Sequence, residues 1–467
     1  MRDAVAMRRS ALGALVVAAG AGALVLLVRD LVRQPSIVPW AGAIGAASLA
    51  AYLCAPARPR SAVAVPPLAK WIPAAWLALC LLPEISFLSR SRTEAASGSL
   101  SIENLAEILA YAAAATLAYA TWKLPQHPLP RRTIVYLLWP AFAVLSAVWS
   151  PIAAFSLVRA LQVVAFVALG MLLHRLWLSD PAAAWELVRR SLVTLTSLVT
   201  VLTLLALALG SYSFGRLTWP GADSGVAGVL MGAGATILLS AGWKALRLSP
   251  AGWCARLIVL VVGLGLNKTR GSWIAVAIAV VAVLWFEGRS RPLWRYLWLP
   301  YYFLSGVFLF VVARPQLLDY FSRRERSGTI ESLNNRVPLW DALIRDVAAH
   351  GWHVSGRGYG TARLFESSEF AWAGTAHNAW VELFVGLGTI GVVLAVVGFI
   401  ALAVRVARAP GSAPSRIAMG LLAFLAIESV VTTAFALPGF LLGVLSLLIG
   451  MSAAGRIETP EAEPAAP

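Results

Sequence analysis

Uninterrupted apolar runs restrict the fold of this chain more than any other feature. Crossing the bilayer core takes about 17 to 25 apolar residues. Runs that meet or approach this length fall near residues 11–28, 36–54, 71–89, 103–122, 133–150, 152–173, 187–209, 222–243, 254–267, 271–287, 296–313, 377–403, 416–435 and 438–455. Lipid offers no water to backbone N–H and C=O groups, so each run must satisfy its own as a helix. The expected fold is all-α, a polytopic transmembrane helix bundle of about 14 (12 to 14) helices with one large, partly helical periplasmic loop. Composition agrees, with 59% hydrophobic and 13% charged residues, against about 45–50% and 25% in soluble domains. Arg8 and Arg9 before the first run resemble the start of a signal peptide. That run is long for a cleaved leader and more spans follow, so an uncleaved helix is expected.

The 38 Lys and Arg residues outnumber 22 Asp and Glu, but they are scattered singly between apolar runs. Nucleic acid as a partner requires them gathered on one face, so it is excluded. Membrane orientation explains them better, because short cytoplasmic loops collect Lys and Arg. With the N-terminus inside, the inner segments hold 22 basic residues and the short outer loops seven; Arg159 lies within a helix and eight more lie in the 63-residue segment 314–376. The expected location is a bacterial inner (cytoplasmic) membrane, multi-pass, with both termini cytoplasmic and segment 314–376 periplasmic. Five regions follow: N-terminal helices 1–130, central helices 131–313, the loop 314–376, C-terminal helices 377–456 and a disordered cytoplasmic tail 457–467. Cys54, Cys80 and Cys254 form no pair with zinc or disulfide spacing and read as packing residues.

Within the loop, Asn335, then Pro338 in a first turn, and Val337, Trp340, Ile344 and Val347 at helical spacing predict an amphipathic helix ending near Gly351, able to lie along the membrane surface. Gly356-Arg357-Gly358-Tyr359-Gly360 reads as a flexible turn whose amides can approach a ligand. Four arginines defy the inside bias: Arg216 before a span, Arg270 in the corner Asn267-Lys268-Thr269-Arg270-Gly271-Ser272-Trp273, Arg336 opening the amphipathic helix, and Arg159 about two turns down its helix. Each has a plain reading as a headgroup contact or ion pair; together they point to an anion site, with diphosphate the obvious ligand because Arg grips phosphate bidentately. His377, in the first turn of a span on the outer side, is the candidate proton acceptor, its imidazole kept neutral by the helix dipole and neighbouring arginines. Glu428 is the deepest carboxylate and reads as a proton relay or an arginine partner; Glu382 falls on a different helix face from His377. Residues 263–269 mimic a P-loop but have Val262 and Asn267 where glycine is required. The chain has no Asp-x-Asp, GxSxG or HExxH motif, so a reaction on the outer face needs a substrate activated beforehand.

From Arg216 onward the chain resembles the O-antigen ligase and polymerase family of bacterial envelope glycosyltransferases. The resemblance rests on Gly215-Arg216-Leu217-Thr218, on Thr269-Arg270-Gly271-Ser272-Trp273, on Asn335-Arg336 through Trp340 with Gly356 to Gly360, and on His377-Asn378 through Glu382 with Gly386, Gly388, Ile390 and Gly391. It departs at Thr269, where the family has serine, and in helix number, which the polymerases match better than the ligases. The resemblance implies transfer of a glycan from undecaprenyl diphosphate to the lipid A core oligosaccharide, without cofactor, metal or nucleotide and with inversion. It assigns His377 as the catalytic base, Arg216 and Arg270 as diphosphate ligands, and Arg336 and Arg159 as positioning residues, with membrane lipid around them. A polymerase, a protein O-oligosaccharyltransferase and a transporter are the alternatives.

Overall fold

The computed structural model describes residues 71–84, 109–116, 129–287, 335–365, 369–370 and 374–453, except 115, 214, 220–221 and 410. Predicted spans 11–28, 36–54 and 296–313, most of 103–122 and the tail 457–467 lie outside them. Eight helices among the described residues are long and apolar enough to cross a membrane, and the protein is a multi-pass membrane protein. The predicted total of about 14 helices rests in part on stretches outside the described residues.

Helix α1 (Ile72–Leu81) is short. Helix α2 (Leu138–Leu145) is extended by 3₁₀ turns to span Arg131–Val148. Then come α3 (Ala153–Ser179) and α4 (Pro181–Ala208), a hairpin of β1 (Tyr212–Ser213) and β2 (Arg216–Leu217), and α5 (Ser224–Leu246), α6 (Pro250–Asn267) and α7 (Arg270–Glu287). Helix α8 (Arg336–Ala349) precedes α9 (Ala379–Arg408), α10 (Ala413–Val431) and α11 (Phe440–Met451).

The tightest connection corrects the sequence boundaries. A loop is expected over residues 174–186, yet Asp180 alone separates α3 from α4. Its Oδ1 accepts from Ala183 N at 2.9 Å while Pro181 supplies the preset φ of a first helical turn. Arg175, Arg189 and Arg190 therefore lie on helices. Arg189 is buried and bound to Glu186 at 2.6 Å.

Helices in lipid gain little from the hydrophobic effect and associate through close packing at small residues. A Cβ on Gly170 of α3 would stand 2.4 Å from the Ser446 carbonyl oxygen of α11. The α3–α11 and α7–α10 faces are the broadest contacts. Ile258, Val281, Val393 and Ile400 stay exposed on the outer surfaces of α6, α7 and α9, as lipid-facing positions require.

Two features of the loop differ from expectation. Helix α8 buries Leu339, Leu343 and Val347 against Phe370, Ala376 and Val385, whereas Val337 and Ile344 are exposed. The face carrying Leu339, Leu343 and Val347 thus meets the start of α9. The Gly356–Gly360 segment is no free ligand turn either. Arg357 N and Gly358 N donate to the carbonyls of Val385 and Gly386, and Thr389 N and Ile390 N donate to His353 and Val354. This pairing fills the break in α9 at Gly388, whose φ of 63° suits glycine. Tyr359 plugs into the bundle, its N–H on Ser146 Oγ at 3.0 Å and its hydroxyl on the Ala436 carbonyl.

Candidate functional site

The β1–β2 hairpin carries Arg216 beside the α6–α7 corner and is stapled to it. Asn267 Nδ2 donates to the Leu217 and Ser224 carbonyls at 2.6 and 2.8 Å. Arg216 Nε donates to the Asn267 carbonyl and Nη2 to Thr269 Oγ1, both at 3.0 Å. Thr269 thus keeps the hydroxyl that the family's serine would supply. Lys268, at φ 57°, reverses the chain so that Arg270 opens α7. The corner is packed without slack, since a Cβ on Gly228 of α5 would stand 2.4 Å from Thr269 Oγ1. Arg336 arrives from α8 and donates through Nη1 to the carbonyl of Val431 at the end of α10.

His377 precedes α9 and is not in its first turn. Asn378 is the N-cap, its Oδ1 accepting from Trp380 N and Val381 N at 2.9 and 3.1 Å and its Nδ2 donating to the Val430 carbonyl at 3.0 Å. On the other side, Ala376 N donates to Glu382 Oε2 at 2.9 Å, and its carbonyl accepts from Trp340 Nε1 at 2.8 Å. Glu382 therefore curls back over its own helix start, although its side chain departs from a different face. His377 is held between two anchored neighbours at φ 49°. Non-glycine residues seldom adopt that conformation and keep it only where the surroundings enforce it.

Arg216, Arg270, Arg336 and His377 all line one cavity of about 470 Å³, within the usual range of about 300–1,000 Å³ for ligand pockets. Glu84, Asp223 and Glu428 share its wall. The His377 pKa falls from 6.5 to about 4, chiefly through burial and then through the Arg336 charge, with Asp223 working the other way. Its imidazole is neutral at pH 7. Such a pocket can hold an anion and take a proton from a bound hydroxyl.

Arg159 stands apart. It is half-exposed near the start of α3, bonded to Gln162 Oε1 at 3.0 Å and over the Phe155 ring with Arg363 on the same ring, and it does not line the cavity. Glu84 and Asp223 are cavity residues that the sequence pattern does not single out. Asp223 had a visible signal as the N-cap of α5, its Oδ1 accepting from Gly225 N at 2.8 Å. Glu84 had none, because it meets its partner Phe440 N, at 2.8 Å, only through the fold. No group of three His, Cys, Asp or Glu side chains suited to a metal ion occurs among the described residues.

Residues 255–396 match the family model described as O-antigen ligase, supporting the resemblance seen in the sequence. The matched stretch includes Arg270, Arg336 and His377; Arg216, Glu84, Asp223 and Glu428 lie outside it. Comparison with curated proteins found no match.

Proposed function

We propose, on the premise of the O-antigen ligase match over residues 255–396, that this chain transfers a glycan from undecaprenyl diphosphate to the lipid A core oligosaccharide at the periplasmic face of the inner membrane. The match itself supports glycosyl transfer of the ligase or polymerase type. The observation that carries the finer reading is the single cavity joining His377 to Arg216, Arg270 and Arg336.

In the proposed reaction the acceptor hydroxyl gives its proton to the neutral imidazole of His377 as its oxygen attacks the anomeric carbon. The bond from that carbon to the diphosphate oxygen breaks in the same displacement, so the configuration inverts. The leaving diphosphate keeps the electron pair, and guanidinium groups fixed in advance hold its charge. Diphosphate binding also offsets the Arg336 charge that depresses the His377 pKa, making the base stronger once the donor is present. Arg159 is assigned to positioning a more distant part of a substrate.

Deletion of the gene in its host, followed by gel analysis of extracted lipopolysaccharide, tests this. Bare core with accumulated lipid-linked glycan, restored by the wild-type gene and not by His377→Ala, is the expected result. Core bearing a single repeat unit would replace the ligase with a polymerase, and an unchanged ladder would overturn the reading.

A further inference from the structure

The cavity is lined by carboxylates as well as by guanidinium groups, and the proposed reaction uses only the latter. The carboxylates Glu84, Asp223 and Glu428 come from three separate elements. All three share one arrangement among the described residues. One oxygen is committed to the protein: Glu84 Oε1 accepts from Phe440 N at 2.8 Å, Asp223 Oδ1 from Gly225 N at 2.8 Å, and Glu428 Oε1 from Ser272 Oγ at 2.7 Å. Among the described residues no protein donor is seen at the second oxygen.

Asp223 is exposed. Glu428 is fully buried, and its Oε2 has no hydrogen-bond partner among the described residues. It lies beside Gly271, another residue of the cavity wall, where an added Cβ would stand 3.9 Å from it. Buried polar atoms are nearly always paired, so an orphan facing a cavity marks where a ligand donates. The committed oxygens fix the carboxylates rigidly. At Gly439 an added Cβ would come within 2.4 Å of Glu84 Oε1, so the chain passes the carboxylate as closely as glycine permits.

We propose that Glu84, Asp223 and Glu428 form the acceptor subsite, binding the hydroxyls that flank the attacking one, and that the acceptor sugar there is uncharged or bears an amine. The inference rests on the glycosyl-transfer reading above. Carboxyl oxygens left open by the protein suit a ligand rich in hydroxyls, which a sugar is. The exposed Asp223 carboxylate repels a phosphorylated or carboxylated ring, which the arginines alone would attract. His377 feels both Arg336 and Asp223, so the proton acceptor sits where donor and acceptor would meet.

The test uses the full-length protein in nanodiscs, undecaprenyl-diphosphate-linked glycan as donor and extracted core glycolipid as acceptor, each varied in turn. Glu84→Gln, Asp223→Asn and the double variant keep an oxygen for Phe440 N and Gly225 N while removing charge. The double variant should raise the KM for the acceptor about ten-fold or more and leave the KM for the donor unchanged. It should also lessen discrimination against core phosphorylated on the accepting sugar. A raised donor KM, or a lower kcat with acceptor KM unchanged, would overturn the subsite. Absence of transfer by the wild type would instead sink the glycosyl-transfer reading.

Discussion

His377 concentrates the chemistry in one side chain, and its environment gives two predictions. Replacing it with alanine should lower transfer by about 10²- to 10⁴-fold, the usual contribution of a general base, while donor binding persists. Its pKa of about 4 lies below the ordinary 6.5, so between these values the folded protein holds it neutral while the unfolded chain would protonate it. The stability this contributes to the folded state is therefore fully present above pH 6.5 and lost as pH falls toward 4. In the free enzyme kcat/KM should accordingly show no acid limb near 6.5. Arg336→Ala removes a charge that lowers the pKa and should move the limb upward; a limb already near 6.5 in the wild type would contradict the site's electrostatics. Glu382 acts through the backbone. Glu382→Ala leaves the buried Ala376 N–H unpaired, a cost of about 1–3 kcal/mol, and should reduce kcat, whereas Glu382→Gln retains an acceptor and should recover most of it.

The α6–α7 corner works as a unit with the hairpin. Thr269→Ser keeps the hydroxyl that receives Arg216 and should behave as wild type, while Thr269→Val should weaken donor binding about ten-fold by freeing the guanidinium; equal donor affinities in the two variants would show that the contact does not orient Arg216. This corner was legible in the sequence, as were the spans, because apolar length and outward arginines are local signals. The α8 register was not. Val337 and Ile344 fit a helical period as well as Leu339 and Leu343 do, and only the docking of α8 on Ala376 and Val385 selects the buried face. Gly356 to Gly360 looked free because its partners, Val385 and Gly386, lie beyond any local window. Glu84 was invisible for the same reason, its partner Phe440 being 356 residues away. Sequence periodicity reports what a segment exposes, while its partner is set by distant chain.

At the scale of the whole molecule, the cavity residues gather at one end of the bundle and the Glu186–Arg189–Arg190–Arg247 cluster at the other. The proposed topology, in which basic residues collect in inner loops, has the first end facing the periplasm. An impermeant maleimide tests this in intact spheroplasts of a strain with Cys54 and Cys80 replaced by serine. Exposed Cys254, at the start of α6, should resist labelling, and a cysteine replacing His350 should react in a Cys254→Ser background; the reverse pattern would invert the topology. The most direct measurement is transfer by the purified protein in liposomes, given undecaprenyl-diphosphate-linked glycan and core acceptor with neither nucleotide nor added metal. Glycosylated core with released undecaprenyl diphosphate from the wild type, and a His377→Ala protein that binds donor without turnover, is the predicted outcome. Undiminished transfer by His377→Ala would contradict the central assignment.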